Sequence, residues 1–124
     1  MVIVDTSIWV DFLRSSDSRL SDLIASDLVL QHPFVTAEVG MGSFRSIHDR
    51  VKTIELLDAF EQAQIAEWND FHQFVSSHCL YGTGIGFADA HLLMACKNAA
   101  SIQLATRDRK LANQAERLEI CLID

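Results

Sequence analysis

The chain alternates short apolar runs with longer stretches in which apolar residues recur every three or four positions. Residues 2–4 are continuous, β-branched and ended by an acid, which predicts a short buried strand. Residues 28–30, 63–65, 102–106 and 120–123 predict further strands. Between them the period is helical. Thr6-Ser7 can cap a helix running through Arg14, with Ile8, Trp9, Phe12 and Leu13 on one face. Ser15-Ser16-Asp17 breaks it, and Asp17 or Ser18 can cap a second helix with Leu20, Leu23 and Ile24 inward. Pro33 marks the turn into a helix over 34–44, with Val35, Val39 and Gly42 against the core, although Gly40 and Gly42 weaken it. A helix over 47–60 points Ile47, Val51, Ile54 and Leu57 inward and Asp49 and Asp58 outward. One over 67–80 carries a stripe of Trp68, Phe71, Phe74 and Val75. A glycine-rich loop, Tyr81-Gly82-Thr83-Gly84-Ile85-Gly86, leads into a helix over 89–100, and the last helix covers 108–118. Short apolar strands alternating with amphipathic helices predict an α/β domain of three layers, helices on both faces of a short central parallel sheet.

At 124 residues, 49% of them hydrophobic, the chain has room for one well-filled domain, residues 1–124. No apolar run is long enough for a membrane span, and no basic segment precedes an apolar one at the N-terminus. Cys79, Cys96 and Cys121 are odd in number, widely spaced and set among apolar residues. They read as small buried hydrophobes of a reducing compartment, so the expected location is cytoplasmic. The net charge of −7 disfavours phosphate binding by simple attraction. Divalent cations in an acidic pocket reverse that local sign, and a basic partner protein is the other complement.

Four acids stand at element boundaries. Asp5 ends the first strand, Glu38 lies in a mostly uncharged stretch, Asp89 stands at the mouth of an apolar helix, and Asp108 follows the fourth strand. Each has a structural reading: Asp5, Asp89 and Asp108 as helix N-caps, and Glu38 as a solvated helix residue. The other reading is convergence, since sites in open α/β sheets lie outside the carboxyl ends of the strands. Converging carboxylates repel, and a hard divalent cation such as Mg²⁺ relieves this while activating water against a phosphate ester. His32, His48, His72, His78 and His91 form no usual zinc pattern, and the glycine loop lacks the order of a nucleotide fingerprint. Arg107, Arg109 and Lys110 bracket Asp108, either as a phosphate clamp or as a solvated helix start. Two other classes compete: a phosphatase or phospho-acceptor domain using Asp5 as nucleophile, and a non-catalytic acidic module for a basic partner. The first needs a lysine just after a later strand, and Lys97 and Lys110 fall within or at the start of helices.

Val4-Asp5-Thr6-Ser7-Ile8-Trp9, Thr36-Ala37-Glu38-Val39, Gly86-Phe87-Ala88-Asp89-Ala90-His91-Leu92-Leu93 and Thr106-Arg107-Asp108-Arg109-Lys110-Leu111 resemble, in order, the four acidic motifs of a PIN domain. More narrowly they resemble the VapC toxins of bacterial toxin–antitoxin pairs, and the resemblance spans the chain. It implies a PIN-like fold and Mg²⁺-dependent (or Mn²⁺-dependent) endoribonuclease activity that arrests translation. It also implies a homodimer and inhibition by a small VapB-like antitoxin with a basic segment. Carried over residue by residue, Asp5, Glu38, Asp89 and Asp108 are the catalytic and metal-binding acids, with Thr6 and Thr106 as hydroxyl support. The implied target is a structured RNA, a transfer-RNA anticodon or a ribosomal RNA hairpin. The run from Gly84 to His91 resembles the branch that cuts the latter. The sequence departs from the pattern at Gly40-Met41-Gly42, which leaves the orientation of Glu38 open.

Overall fold

The structure is a computed structural model that describes residues 1–15 and 17–123. Its frame is a parallel sheet with the order β3-β2-β1-β4-β5. These strands are β1 (Val2–Val4), β2 (Val29–Gln31), β3 (Glu61–Gln62), β4 (Gln103–Ala105) and β5 (Leu122–Ile123). All three residues of β1 are buried because the strand is central and covered on both faces. Val2 and Ile3 pair with Val29 and Leu30 on one side, and Val2, Ile3 and Val4 pair with Gln103, Leu104 and Ala105 on the other.

The helices are α1 (Thr6–Arg14), α2 (Ser18–Ala25), α3 (Pro33–Gly40), α4 (Ile47–Asp58), α5 (Trp68–Ser77), α6 (Phe87–Lys97) and α7 (Arg109–Arg117). Packing groups α1 and α3 with α4, and α5 and α6 with α7. The chain steps outward from β1 to β2 and β3, then crosses back to β4 and β5 on the far side of β1. Connections leaving β1 and β4 therefore diverge, which opens a crevice at the carboxyl ends of these two strands.

The expected α/β architecture is the observed one, and the differences are local. Asp5, not Thr6-Ser7, caps α1, and Asp17 caps α2; Ser16 of the predicted break lies outside the described residues. Pro33 is the first residue of α3, where its missing amide costs nothing. That helix stops at Gly40, short of residue 44, and Gly42 is exposed instead of packed. At Gly40 a Cβ would meet Ile54 at 3.2 Å and Arg50 at 3.3 Å, and the Arg50 Nε donates to its carbonyl at 2.7 Å. Glycine thus lets α4 approach the end of α3.

The α4 stripe is only half inward. Leu57 is fully buried and Ile54 partly so, whereas Ile47 is 82% exposed and Val51 is also exposed. Helical spacing fixes which residues share a face, not how far along the helix that face is covered. The same applies to Leu13 and Trp68, both exposed at helix ends, while Phe71 and Phe74 are buried. Strand β3 falls two residues before its predicted place, and α5 begins after Glu67, its N-cap. Helix α6 starts at Phe87, so Asp89 lies inside its first turn and not at the cap. Of the cysteines only Cys96 is buried; Cys79 and Cys121 are exposed. No helix among the described residues is long and apolar enough to cross a membrane.

Candidate active site

Asp5 lies where β1 becomes α1, at the crevice. Its Oδ1 accepts from the Ser7 backbone amide at 2.6 Å and from the Ser7 hydroxyl. Its Oδ2 accepts from the Thr106 hydroxyl, and its own amide donates to the Ala105 carbonyl at 3.0 Å. The residue is 3% exposed, so burial on this scale is sustained only because both carboxylate oxygens have donors. Thr106 extends β4 by one residue, and its Oγ1 accepts from the Asp108 amide at 3.0 Å. The Arg107 amide donates to the Ser7 hydroxyl oxygen at 3.2 Å. The chain ends leaving β1 and β4 are thus tied together by side chains.

Ser7 is a site residue that sequence reasoning passed over, treating it as a possible cap. The available signal was its position two residues after an acid at a helix start, where a hydroxyl reaches back to the capping carboxylate.

Glu38 is exposed on α3, and its Oε1 accepts from the Thr6 hydroxyl at 2.7 Å. Thr6, the first residue of α1, thereby fixes the acid whose orientation the glycines had left open. Asp108 caps α7 through Oδ1, which accepts from the amides of Lys110 at 2.9 Å and Leu111 at 3.2 Å. For Asp5 and Asp108 the structural and the shared-site readings hold together: each caps a helix and also faces the crevice.

Asp89 differs. It is not the N-cap residue, being the third residue of α6, and it is half-buried. Burial pushes its carboxyl up to about 6, the charges of Asp5, Glu38 and Asp108 push it the same way, and the Gly86 amide opposes them. All three other acids act electrostatically on this one group, so the four carboxylates share one electrostatic neighbourhood around Asp89.

The neighbouring cations are disposed unequally. The Arg107 guanidinium is committed to ion pairs with Asp11 and, at 2.6 Å, with Asp17. Lys110 lies against the glycine loop. A Cβ at Gly84 would stand 3.4 Å from its Nζ, and Gly84 has a φ of +87°, a second reason for glycine there. Arg109 is exposed.

Behind Asp89 lies an aromatic cluster. His91 stacks on Phe71 at 3.9 Å between centroids and meets Phe34 and Phe87 edge-on at 4.6 Å each. Both its ring nitrogens are buried without a polar partner, and burial lowers its pKa. A ring N–H turned onto an aromatic face is the contact this packing offers. His32 caps α3, its Nδ1 accepting from the Phe34 amide at 3.1 Å, and burial and His91 hold its pKa down to about 4. A cavity of about 570 Å³ lies to one side, between α1, α2 and the β4–β5 edge, and Val4, Thr106 and Arg107, neighbours of the acids in sequence, are among the residues that line it.

Among the described residues no three acids, histidines or cysteines close into a ready-made cation cage. The donor set nevertheless suits a hard divalent cation. It consists of carboxylate oxygens, and their mutual repulsion at Asp89 is what such a charge relieves. A softer metal would want the imidazoles, which are turned into the aromatic cluster instead.

A family model of the PIN domain matches residues 2–117. The chain is 34% identical over 111 residues to Ribonuclease VapC32 of Mycobacterium tuberculosis, covering 90% of this chain and 87% of that protein. Among solved structures it is similar to FitAcB from Neisseria gonorrhoeae, with a TM-score of 0.63 at 17% identity, covering 100% of this chain and 97% of that one. It is also similar to PAE2754 from Pyrobaculum aerophilum, with a TM-score of 0.62 at 15% identity over 91% and 83% of the two chains.

Proposed function

From the premise that this chain belongs to the PIN-domain family, we propose that it is a metal-dependent endoribonuclease, the toxin of a toxin–antitoxin pair that arrests translation by cutting a structured RNA. The observation that carries this reading is the joint action of Asp5, Glu38 and Asp108 on Asp89 at the carboxyl ends of β1 and β4. Like charges are gathered there at a cost in stability, which is expected of a site and not of a packing device. The resemblance to Ribonuclease VapC32 supports RNA as the substrate.

Asp5, Glu38, Asp89 and Asp108 would hold the cation, Mg²⁺ or Mn²⁺, which when bound supplies an activated water and neutralises charge on the phosphodiester. The rest is done by the chain. Thr106 and Ser7 hold the Asp5 carboxylate in one orientation, and Thr6 holds Glu38. Asp89 accommodates a proton or a cation in the same place. Lys110, beside the glycine loop, and exposed Arg109 have no ion pair among the described residues and can meet the RNA backbone, whereas Arg107 is engaged by Asp11 and Asp17.

The partners belong to the same reading. A net charge of −7 and an acidic pocket favour a VapB-like antitoxin with a basic segment. The exposed apolar side chains Met41, Ile47, Val51 and Leu56 favour a homodimer. The non-catalytic acidic module predicts no RNA cleavage at all. A phospho-acceptor role suits Asp5 less, because it needs a lysine just after a later strand and Lys97 and Lys110 lie within helices α6 and α7. The test is to express the chain alone and with its genomic neighbour, then sequence RNA 5′ ends. One recurrent cut, absent on co-expression and absent from Asp5→Asn, is the expected result. An unchanged RNA population overturns the proposal.

A further inference from the structure

We propose that Phe87 is a nucleobase-stacking platform that seats one unpaired base of the RNA beside the acidic crevice. The inference rests on the ribonuclease reading and adds to it a residue that selects and positions the substrate.

Phe87 is the first residue of α6, a helix that is otherwise largely buried, yet the residue is 54% exposed. Exposed apolar rings occur singly on many surfaces, so exposure alone says little. This ring is also immobilised. Phe34 lies 5.4 Å away at 31°, Phe71 lies 5.3 Å away edge-on, and His91 supports it at 4.6 Å. A ring clamped on one side and open on the other loses little freedom when a flat partner is laid on it.

Its location gives the exposed side a purpose. Phe87 stands two residues before Asp89, on a different face of the first turn of α6, and its ring shares the side of His91 one turn on. Phe34, tilted against it, stands one turn before Glu38 on the same face of α3. Through Phe34 the two rings form one aromatic surface, contributed by α3 and α6, that borders Glu38, one of the four acids. An anionic crevice attracts no phosphate by charge alone, and the net charge of the chain repels RNA at a distance. Stacking supplies affinity without charge, and any base has a face to stack. It also requires an unstacked base, which single-stranded loops provide and duplexes do not.

The test is steady-state cleavage of a single-stranded RNA oligonucleotide by the full chain, Phe87→Leu and Phe87→Trp. A matched oligonucleotide series lacks one base at a time. Phe87→Leu keeps the apolar bulk and removes the flat face. It is expected to raise KM about 5- to 150-fold with kcat nearly unchanged, and Phe87→Trp, which enlarges the flat face, to lower KM below the parent's. Removing one particular base should raise KM for the parent and add nothing in Phe87→Leu. An unchanged KM in Phe87→Leu, or a base-removal effect that survives in it, overturns the platform while the nuclease reading stands. A KM loss that tracks dissociation of an oligomer on a sizing column makes the ring an interface residue and also overturns it. Should Phe87→Leu melt below the assay temperature, Phe87→Trp decides: an unchanged or raised KM overturns the proposal, and a lowered one supports it. A parent chain that cleaves no RNA overturns the nuclease reading and the platform together.

Discussion

Thr106 donates its hydroxyl to the Oδ2 of Asp5 across 101 positions of sequence, and its own Oγ1 accepts from the Asp108 amide at 3.0 Å. One side chain therefore sets the geometry of the first acid and the backbone of the fourth. Thr106→Val keeps the shape and deletes both bonds, and Thr106→Ser keeps both. Positioning partners of this kind typically carry about 10- to 100-fold in activity. Valine should lose that much in RNA cleavage, with about 1 kcal/mol or more of stability lost in a urea melt. Serine should recover most of both. A valine variant as active as the parent would remove Thr106 from the machinery.

Asp89→Asn should abolish cleavage and stabilise the cation-free protein. The Asp89 carboxyl is raised to about 6 in the fold from an ordinary value of 3.8. A raised carboxyl favours the fold fully below the ordinary value. That contribution is then lost as pH climbs from about 4 to 6. Above this window the parent carries a penalty that the amide lacks, of the order of 1–2 kcal/mol after discount for partial exposure. Thermal melts in chelator at pH 4 and pH 7.5 check this: the variant's advantage should be present at 7.5 and nearly absent at 4. A variant that unfolds at both pH values would make Asp89 structural.

His32 works in the opposite direction. Its pKa is about 4 in the fold against an ordinary 6.5, so the fold requires the neutral ring. Stability from this group is full above 6.5 and is lost as pH falls through about 4. His32→Asn retains an acceptor for the Phe34 amide and cannot take up a proton in this range. Its stability should fall less than the parent's between pH 6.5 and 4, and equal slopes by urea titration would contradict the assignment.

The cleavage products are expected to carry a 5′-phosphate and a 3′-hydroxyl. Attack by the ribose 2′-hydroxyl usually needs an acid–base pair, often two histidines. The histidines nearest the acids, His32 and His91, are buried, and both pKa values are lowered. Water as nucleophile fits the carboxylates better, and a 2′-deoxy nucleotide at the cut should be tolerated if binding does not need that hydroxyl. End-group analysis decides, and a 2′,3′-cyclic phosphate would contradict this route.

Much of this arrangement was legible in the sequence because β1 is short, apolar and closed by Asp5, and because Asp108 follows β4 at the same end of the sheet. Parallel strands put both acids at one edge. What periodicity could not supply was coverage. Ile47 and Val51 have the spacing of core residues, yet the part of α4 that carries them is left exposed. Nor could spacing show Ser7 and Thr106 meeting on one carboxylate, since that depends on β1 and β4 pairing across most of the chain. Phe87 was hidden by the assumption that α6 begins at Asp89, when it begins two residues earlier.

The pairing of β1 with β4 also bears on the moment of synthesis. A ribosome making this chain releases Asp5, Thr6 and Glu38 long before residues 103–108 exist outside it. Until then β1 has neighbours on only one side, the Asp5 carboxylate has Ser7 but no Thr106, and Asp89 and Asp108 are absent or unplaced. The nascent polypeptide holds half of the acids and none of the frame that joins them. A fragment that stops before β4 lacks Thr106 and Asp108, and the crevice forms only once residues 103–108 have been translated.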